Sequence, residues 1–266
     1  PCPPLTGHVT HLKESSMSQG ATRREVLLQA LTGYALVRTL LWQDALAGPV
    51  KQEAQAWLSR THQLCADVRD RKLAPREWQR QVEALFHRVP LSELLRAIDA
   101  DRLKPGLELP DDRAGAMPAP LPRIEGLPRV FGTKLFGLAQ GRAVVPHGHQ
   151  NMVSMHVVLA GEFHLRHFER VESQPEHLVL RPSIDRVSGP GDLSSISDPH
   201  DNVHWLVATK GPAYTFDLIV DRLDPALGFA WRLDYVDVDG AEPLAGGLLR
   251  ARRIEFEEAL RRYGKT

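Results

Sequence analysis

The sequence predicts a mainly β fold: a barrel of short strands, preceded by a helical segment and closed by a C-terminal helix. Three observations carry this. Residues 130–248 break into short apolar or alternating runs separated by Gly, Pro, Asp and Asn, which is how strands and turns read in a barrel or sandwich. Residues 50–100 repeat apolar side chains at helical spacing instead. Between them, 104–129 is rich in proline and reads as a linker.

Taken in order, the chain starts with 1–48, an upstream extension followed by a paired-arginine segment. Thr22-Arg23-Arg24-Glu25 precedes a mostly apolar stretch to Leu41 and then Ala45-Leu46-Ala47. This has the form of a twin-arginine export signal with an Ala-x-Ala cleavage site, and on that reading the mature protein is periplasmic or secreted. An amphipathic helix is the alternative, and the protein is then cytoplasmic. Gln29, Thr32, Arg38 and Thr39 interrupt the stretch too often for a membrane span. In the helical segment, 49–103, Trp57, Thr61, Leu64, Cys65 and Val68 share one stripe, and Trp78, Val82, Leu85 and Phe86 another. These helices either shield the barrel or form a homodimer interface. The barrel runs over 130–248, with strand candidates at 130–138, 142–147, 153–160, 162–170, 176–181, 193–197, 203–209, 213–220 and 229–238. The last piece, 249–266, is predicted as a helix, with Leu249, Ile254 and Leu260 among many charges.

Composition narrows the function. Thirty-three basic and 33 acidic residues cancel, which argues against nucleic acid as a partner. Two cysteines, Cys2 and Cys65, exclude a disulfide framework and a cysteine-based zinc site. Twelve histidines remain, and their spacing is informative. In a strand, residues i and i+2 face the same way, so His147 and His149 aim both imidazoles at one point. Neutral imidazole ligates Fe, Zn, Cu, Ni or Mn. Two histidines do not complete a coordination sphere, so further ligands must come from elsewhere, and His204 follows Pro199-His200-Asp201-Asn202-Val203.

These two stretches resemble the paired motifs of the cupin superfamily, whose fold is the RmlC-like jelly-roll barrel. The first, G-x5-H-x-H-x4-E-x6-G, falls on Gly141, His147, His149, Ser154 and Gly161; the second, P-x-G-x2-H, falls on Pro199, Asp201 and His204. Ser154 stands where the glutamate ligand belongs, and Asp201 where the glycine does. The resemblance then implies a three-histidine centre of His147, His149 and His204, as in the thiol dioxygenases: cysteamine dioxygenase, the plant cysteine oxidases and cysteine dioxygenase. Pro146 ahead of the histidine pair, Met152 after it, Asn202 before His204, the Gly211-Pro212-Ala213 turn and Asp217 all match positions in that group. The match covers residues 130–222 and omits the Pro-Pro-Tyr of the family, replaced here by Val220-Asp221-Arg222. It implies an Fe(II)-dependent oxidation of a small thiol by O2 to a sulfinic acid, with Ni, Mn or Zn as alternative metals and Asp217 supporting a ligand or a bound water.

His156 shares the inward face with Ser154, as a pocket residue or fourth ligand, or else as a satisfied interior histidine. His164 and His167 read as surface or packing residues. Lys134 and Arg142 can hold a substrate carboxylate, although solvent-facing charge is the ordinary reading of both. The rival functions are a non-catalytic cupin that binds a metal or small ligand, and a cupin enzyme of another reaction type.

Overall fold

The computed structural model describes residues 55–111, 113–227 and 233–265. The paired-arginine segment and its export reading lie outside the described residues, as does the start of the 229–238 stretch. Among the described residues, four helices come first: α1 (Gln55–Arg69), α2 (Pro75–Phe86), α3 (Leu91–Ala97) and α4 (Ala100–Leu103). Nine strands follow: β1 (Gly115–Pro118), β2 (Gly132–Leu138), β3 (Ala143–Gly148), β4 (Met152–Ser173), β5 (His177–Ser188), β6 (Leu193–Ser197), β7 (Val203–Asp221), β8 (Asp234–Leu244) and β9 (Leu248–Arg253). Helix α5 (Phe256–Tyr263) ends the described chain.

All strand pairings are antiparallel. The ring β7-β3-β8-β9-β5-β4 closes on itself through the β4–β7 pairing, and β6, β2 and β1 extend it at the edges. Strands β4 and β7 are long enough to serve two layers. The first part of β4 pairs with β6 and with the end of β7; its second part pairs with β5 and with the start of β7. The crossover is at Ala160–Phe163, where the register slips repeatedly and the strand bends. Gly161 is required there. Its φ is +74°, and a Cβ would stand 2.6 Å from the Cα and Cβ of Ala213.

Alternation along these strands separates two faces. Val153, Met155, Val157, Leu159, Phe216, Leu218 and Val220 point outward into a core shared with Trp57, Leu64, Trp78, Val82 and Phe86 of the helices. Polar pegs fix that packing. Gln79 Nε2 donates to the Ser195 carbonyl at 3.0 Å, Ser197 Oγ donates to Gln79 Oε1 at 2.5 Å, and Ser195 Oγ donates to Glu83 Oε1 at 2.6 Å. The apolar stripe of the helical segment is thus spent on the barrel. On the opposite outer face, α5 lays Ala259 and Tyr263 against Trp205, Val236 and Val238. Glu257 and Glu258 in its first turn and Arg261 and Arg262 in its last suit the helix dipole. Among the described residues, no helix is long and apolar enough to cross a membrane.

Four boundaries differ from expectation. The 153–160 and 162–170 runs are one strand, as are 203–209 and 213–220, because Gly161 and Pro212 mark bends rather than breaks. The C-terminal helix begins at Phe256, not 249: Leu249 and Ala251 alternate onto the face that α5 covers, on β9, which pairs with both β5 and β8. The proline-rich 104–129 stretch contains β1, an edge strand on β2.

Candidate metal centre

Register places the histidines. Residues directly opposite across antiparallel strands share a face. Tyr235 of β8 lies opposite His147 of β3, His147 opposite His204 of β7, and His204 opposite His167 of β4. This rung crosses the barrel interior, and His149 joins it two residues after His147. The ring centroids of His147 lie 4.7 Å from His149 and 4.4 Å from His204, and those of His149 and His204 lie 5.2 Å apart. One nitrogen from each of the three falls within 4.8 Å of the others, so the group can hold a metal ion.

The local chain explains the aim of each ring. The β3 register breaks between Val144 and His147, where Pro146 has no N–H to give a ladder. His147 Nδ1 sits 2.8 Å from the Val145 carbonyl, which only accepts, so this nitrogen carries the proton and Nε2 presents a lone pair. That Nε2 lies 3.0 Å from His149 Nε2. Two such nitrogens face each other comfortably across a shared cation, since two bonds of about 2.1 Å at right angles span about 3.0 Å. Asn202, fully buried, clips the two motifs together: Nδ2 donates to the His149 carbonyl at 2.8 Å and to the Ser197 carbonyl at 3.2 Å. Gly148 leaves room for it, because a Cβ there would stand 2.5 Å from Asn202 Oδ1. Asp201, in the glycine position of the second motif, has φ +53°, a region Asp tolerates better than most residues, and its carboxylate accepts from Ser183 Oγ.

Burial keeps the cluster neutral. Loss of water lowers His147 to about 4, and holds His149 and His204 well below the ordinary imidazole value, with neighbouring histidines adding to the effect. A neutral donor set without a carboxylate is the consequence: Ser154, buried on the same interior, has a hydroxyl with no hydrogen-bond partner and is not one of the three.

Asp217 lies on the neighbouring rung. Its hydrogen bonds go to neighbours of the three histidines: Oδ2 accepts from His156 Nδ1 at 2.7 Å, and Oδ1 accepts from Thr215 Oγ1 at 2.7 Å. The pair forms a second rung, in which Lys134 of β2 lies opposite Asp217 of β7, Asp217 opposite His156 of β4, and His156 opposite Ser194 of β6. The His156 ring is 5.5 Å from that of His204, and its Nε2 is buried with no partner. His156 is not in the group of three.

The reading of His164 and His167 divides. His164 is on the surface, with Nε2 2.6 Å from Asp185 Oδ1. His167 is fully buried, 5.9 Å from the His204 ring, and neither of its nitrogens has a partner. Burial lowers it to about 3. Tyr235, 5.9 Å from His147, was also not anticipated; burial raises its hydroxyl to about 12. No feature of the sequence alone marks either residue, since only the register brings them to the rung.

Four neutral histidines, three buried and His149 half-buried, set an acid limit on the metal-free protein. Their folded-state values lie below 6.5, so the unfolded chain binds more protons than the folded one as pH falls below 6.5. Stability is therefore present above that pH and declines toward 4, by about 1.4 kcal/mol per pH unit for each histidine. Urea midpoints measured from pH 7 to pH 4.5 should fall with a slope of several protons; a flat profile would contradict the buried neutral cluster.

No family model matches the chain. No curated protein matches it either. Solved structures do. KdgF from a Halomonas species is 17% identical over 41% of this chain and 81% of its own, with a TM-score of 0.30. An RmlC-like cupin from Shewanella frigidimarina is 15% identical over 44% of this chain and 86% of its own, with a TM-score of 0.30. An oxalate oxidase is 19% identical over 35% of this chain, with a TM-score of 0.28, and this chain spans 43% of its length. The structures it resembles thus include cupins, and the fold assignment stands on the strand order itself: a mainly β, closed jelly-roll barrel with helices on both outer faces.

Proposed function

We propose that the protein is a cupin-type oxidoreductase that binds Fe(II) through His147, His149 and His204 and oxidises a small thiol to a sulfinic acid. The observation that supports it most is the convergence of three neutral imidazoles with Ser154 in place of a carboxylate. When bound, Fe(II) supplies a site where a thiolate and O2 can meet, and the thiolate brings the negative charge that the protein ligands lack. The remaining work falls to the chain. Asp217 holds His156 with its proton on Nδ1, leaving the Nε2 lone pair facing the interior. Nε2 takes the proton of the incoming thiol, and the Asp217 carboxylate stabilises the imidazolium that results. The helices and α5 close both outer faces of the barrel and keep bulk water out.

Export belongs with this proposal, since the twin-arginine route carries proteins already folded around a cofactor. The test is oxygen uptake by the iron-loaded protein with cysteine, cysteamine, 3-mercaptopropionate and peptides with N-terminal cysteine. One O2 consumed per sulfinate formed is the expected result. No uptake with any of them would remove the thiol reading and leave a non-catalytic cupin, for which a ligand-dependent rise in melting temperature without turnover is the signature.

A further inference from the structure

His167 occupies a slot that the barrel otherwise fills with hydrocarbon. Along the second half of β4, alternation points Phe163, Leu165 and His167 the same way, and β7 sets Ala208, Leu206 and His204 opposite them. The first two pairs belong to one apolar cluster. Phe168, next in the chain, turns the other way, into the core under α5. A leucine would suit position 167. Histidine brings two nitrogens instead, and both are buried without a hydrogen-bond partner among the described residues. Such a group is costly to bury unless it serves a neighbour.

His204 has the matching deficit. Its Nδ1 is buried and has no partner among the described residues either. A histidine that ligates through Nε2 carries its proton on Nδ1, and that N–H needs an acceptor to fix the ring and its tautomer. His147 has one in the Val145 carbonyl, 2.8 Å from Nδ1. His204 has no such carbonyl, but His167 stands directly opposite it, with ring centroids 5.9 Å apart and planes tilted by 59°. A neutral imidazole offers one lone pair for the purpose. The gap is one that a small ring rotation or a single bridging water closes. The His156 ring is also near His204, at 5.5 Å, yet the register sets it opposite Asp217, to which its Nδ1 is tied.

We infer that His167 is a positioning residue of the metal centre: it accepts the Nδ1–H of His204, directly or through one buried water, and so holds His204 with Nε2 toward the metal. This rests on the reading of His147, His149 and His204 as one metal site, and it adds the group that orients the ligand from the second motif.

The test uses zinc(II) as a diamagnetic stand-in for iron, with affinity measured by competition against a chelator. His167→Leu removes the acceptor and keeps an apolar side chain that fits the slot, so the variant should fold with a urea midpoint at or above that of the wild type. Its zinc dissociation constant should nevertheless rise at least tenfold. His167→Gln, whose amide oxygen can accept, should recover most of that loss, which a merely structural role would not require. A second readout is the nitrogen spectrum of the zinc-loaded protein carrying isotope-labelled histidine. In the wild type, His204 should show a proton on Nδ1 that is protected from exchange, and the protection should disappear in His167→Leu. The wild-type spectrum decides alone if the leucine variant does not fold. An unchanged zinc affinity in folded His167→Leu, a loss seen in His156→Leu instead, or a wild-type His204 that ligates through Nδ1 would overturn the inference. A wild type that takes up no zinc would overturn the metal reading itself.

Discussion

His204→Ala should leave the protein folded and all but free of iron, with less than a tenth of the wild-type iron after loading and desalting. His204 is the member of the group that comes from the second motif, and its ring lies within 5.2 Å of both others. Without it, His147 and His149 form only a two-imidazole chelate, and Ser154 offers a hydroxyl where a carboxylate would serve. The loss should exceed that from His156→Gln, because His156 is tied to Asp217 and lies outside the group. Far-ultraviolet circular dichroism checks the fold and elemental analysis the metal. Undiminished iron in a folded His204→Ala protein would sink the ligand assignment.

The largest effect on stability is expected from Trp78→Ala. Trp78 is fully buried on α2, in the core that joins the helical segment to the outer face of β4 and β7. Around it, Phe86 stacks on Phe216 of β7 with ring centroids 6.4 Å apart, and Trp57 meets Phe86 edge-on at 5.8 Å. Removing the indole leaves a cavity that a strand ladder cannot collapse to fill, and such truncations cost about 3–5 kcal/mol. The neighbouring Cys65 thiol, pushed up by burial, is an inert packing group of the same core. Urea unfolding measures the change. A loss below about 1 kcal/mol would mean that the helices ride on the barrel without supporting it.

These two predictions draw on features of unequal legibility. The histidine group was visible because a period of two places His147 and His149 on one face, and because His204 follows a recognisable motif. The helical stripes of α1 and α2 were visible for the same kind of reason, a period that only one structure satisfies. What periodicity cannot express is which strand lies opposite which. His167 looks like any strand histidine until β4 is set against β7, and only then does it stand beside His204. The register also makes Asp217 the partner of His156, which the spacing alone does not reveal. Glycine and proline misled in one respect: Gly161 and Pro212 read as the ends of strands, yet they let two long strands bend from one layer to the other. At the C-terminus, the charges of 249–255 suggested a solvated helix, whereas backbone pairing to β5 and β8 made the segment a strand.

The central claim is that the barrel interior holds one metal ion on three histidines. Crystals grown with Fe(II) and measured at the iron absorption edge test it directly. A single anomalous peak per chain is expected, within bonding distance of ring nitrogens of His147, His149 and His204 and of no other side chain. A peak that includes His156 or His167 among its ligands, or no peak inside the barrel, would contradict it.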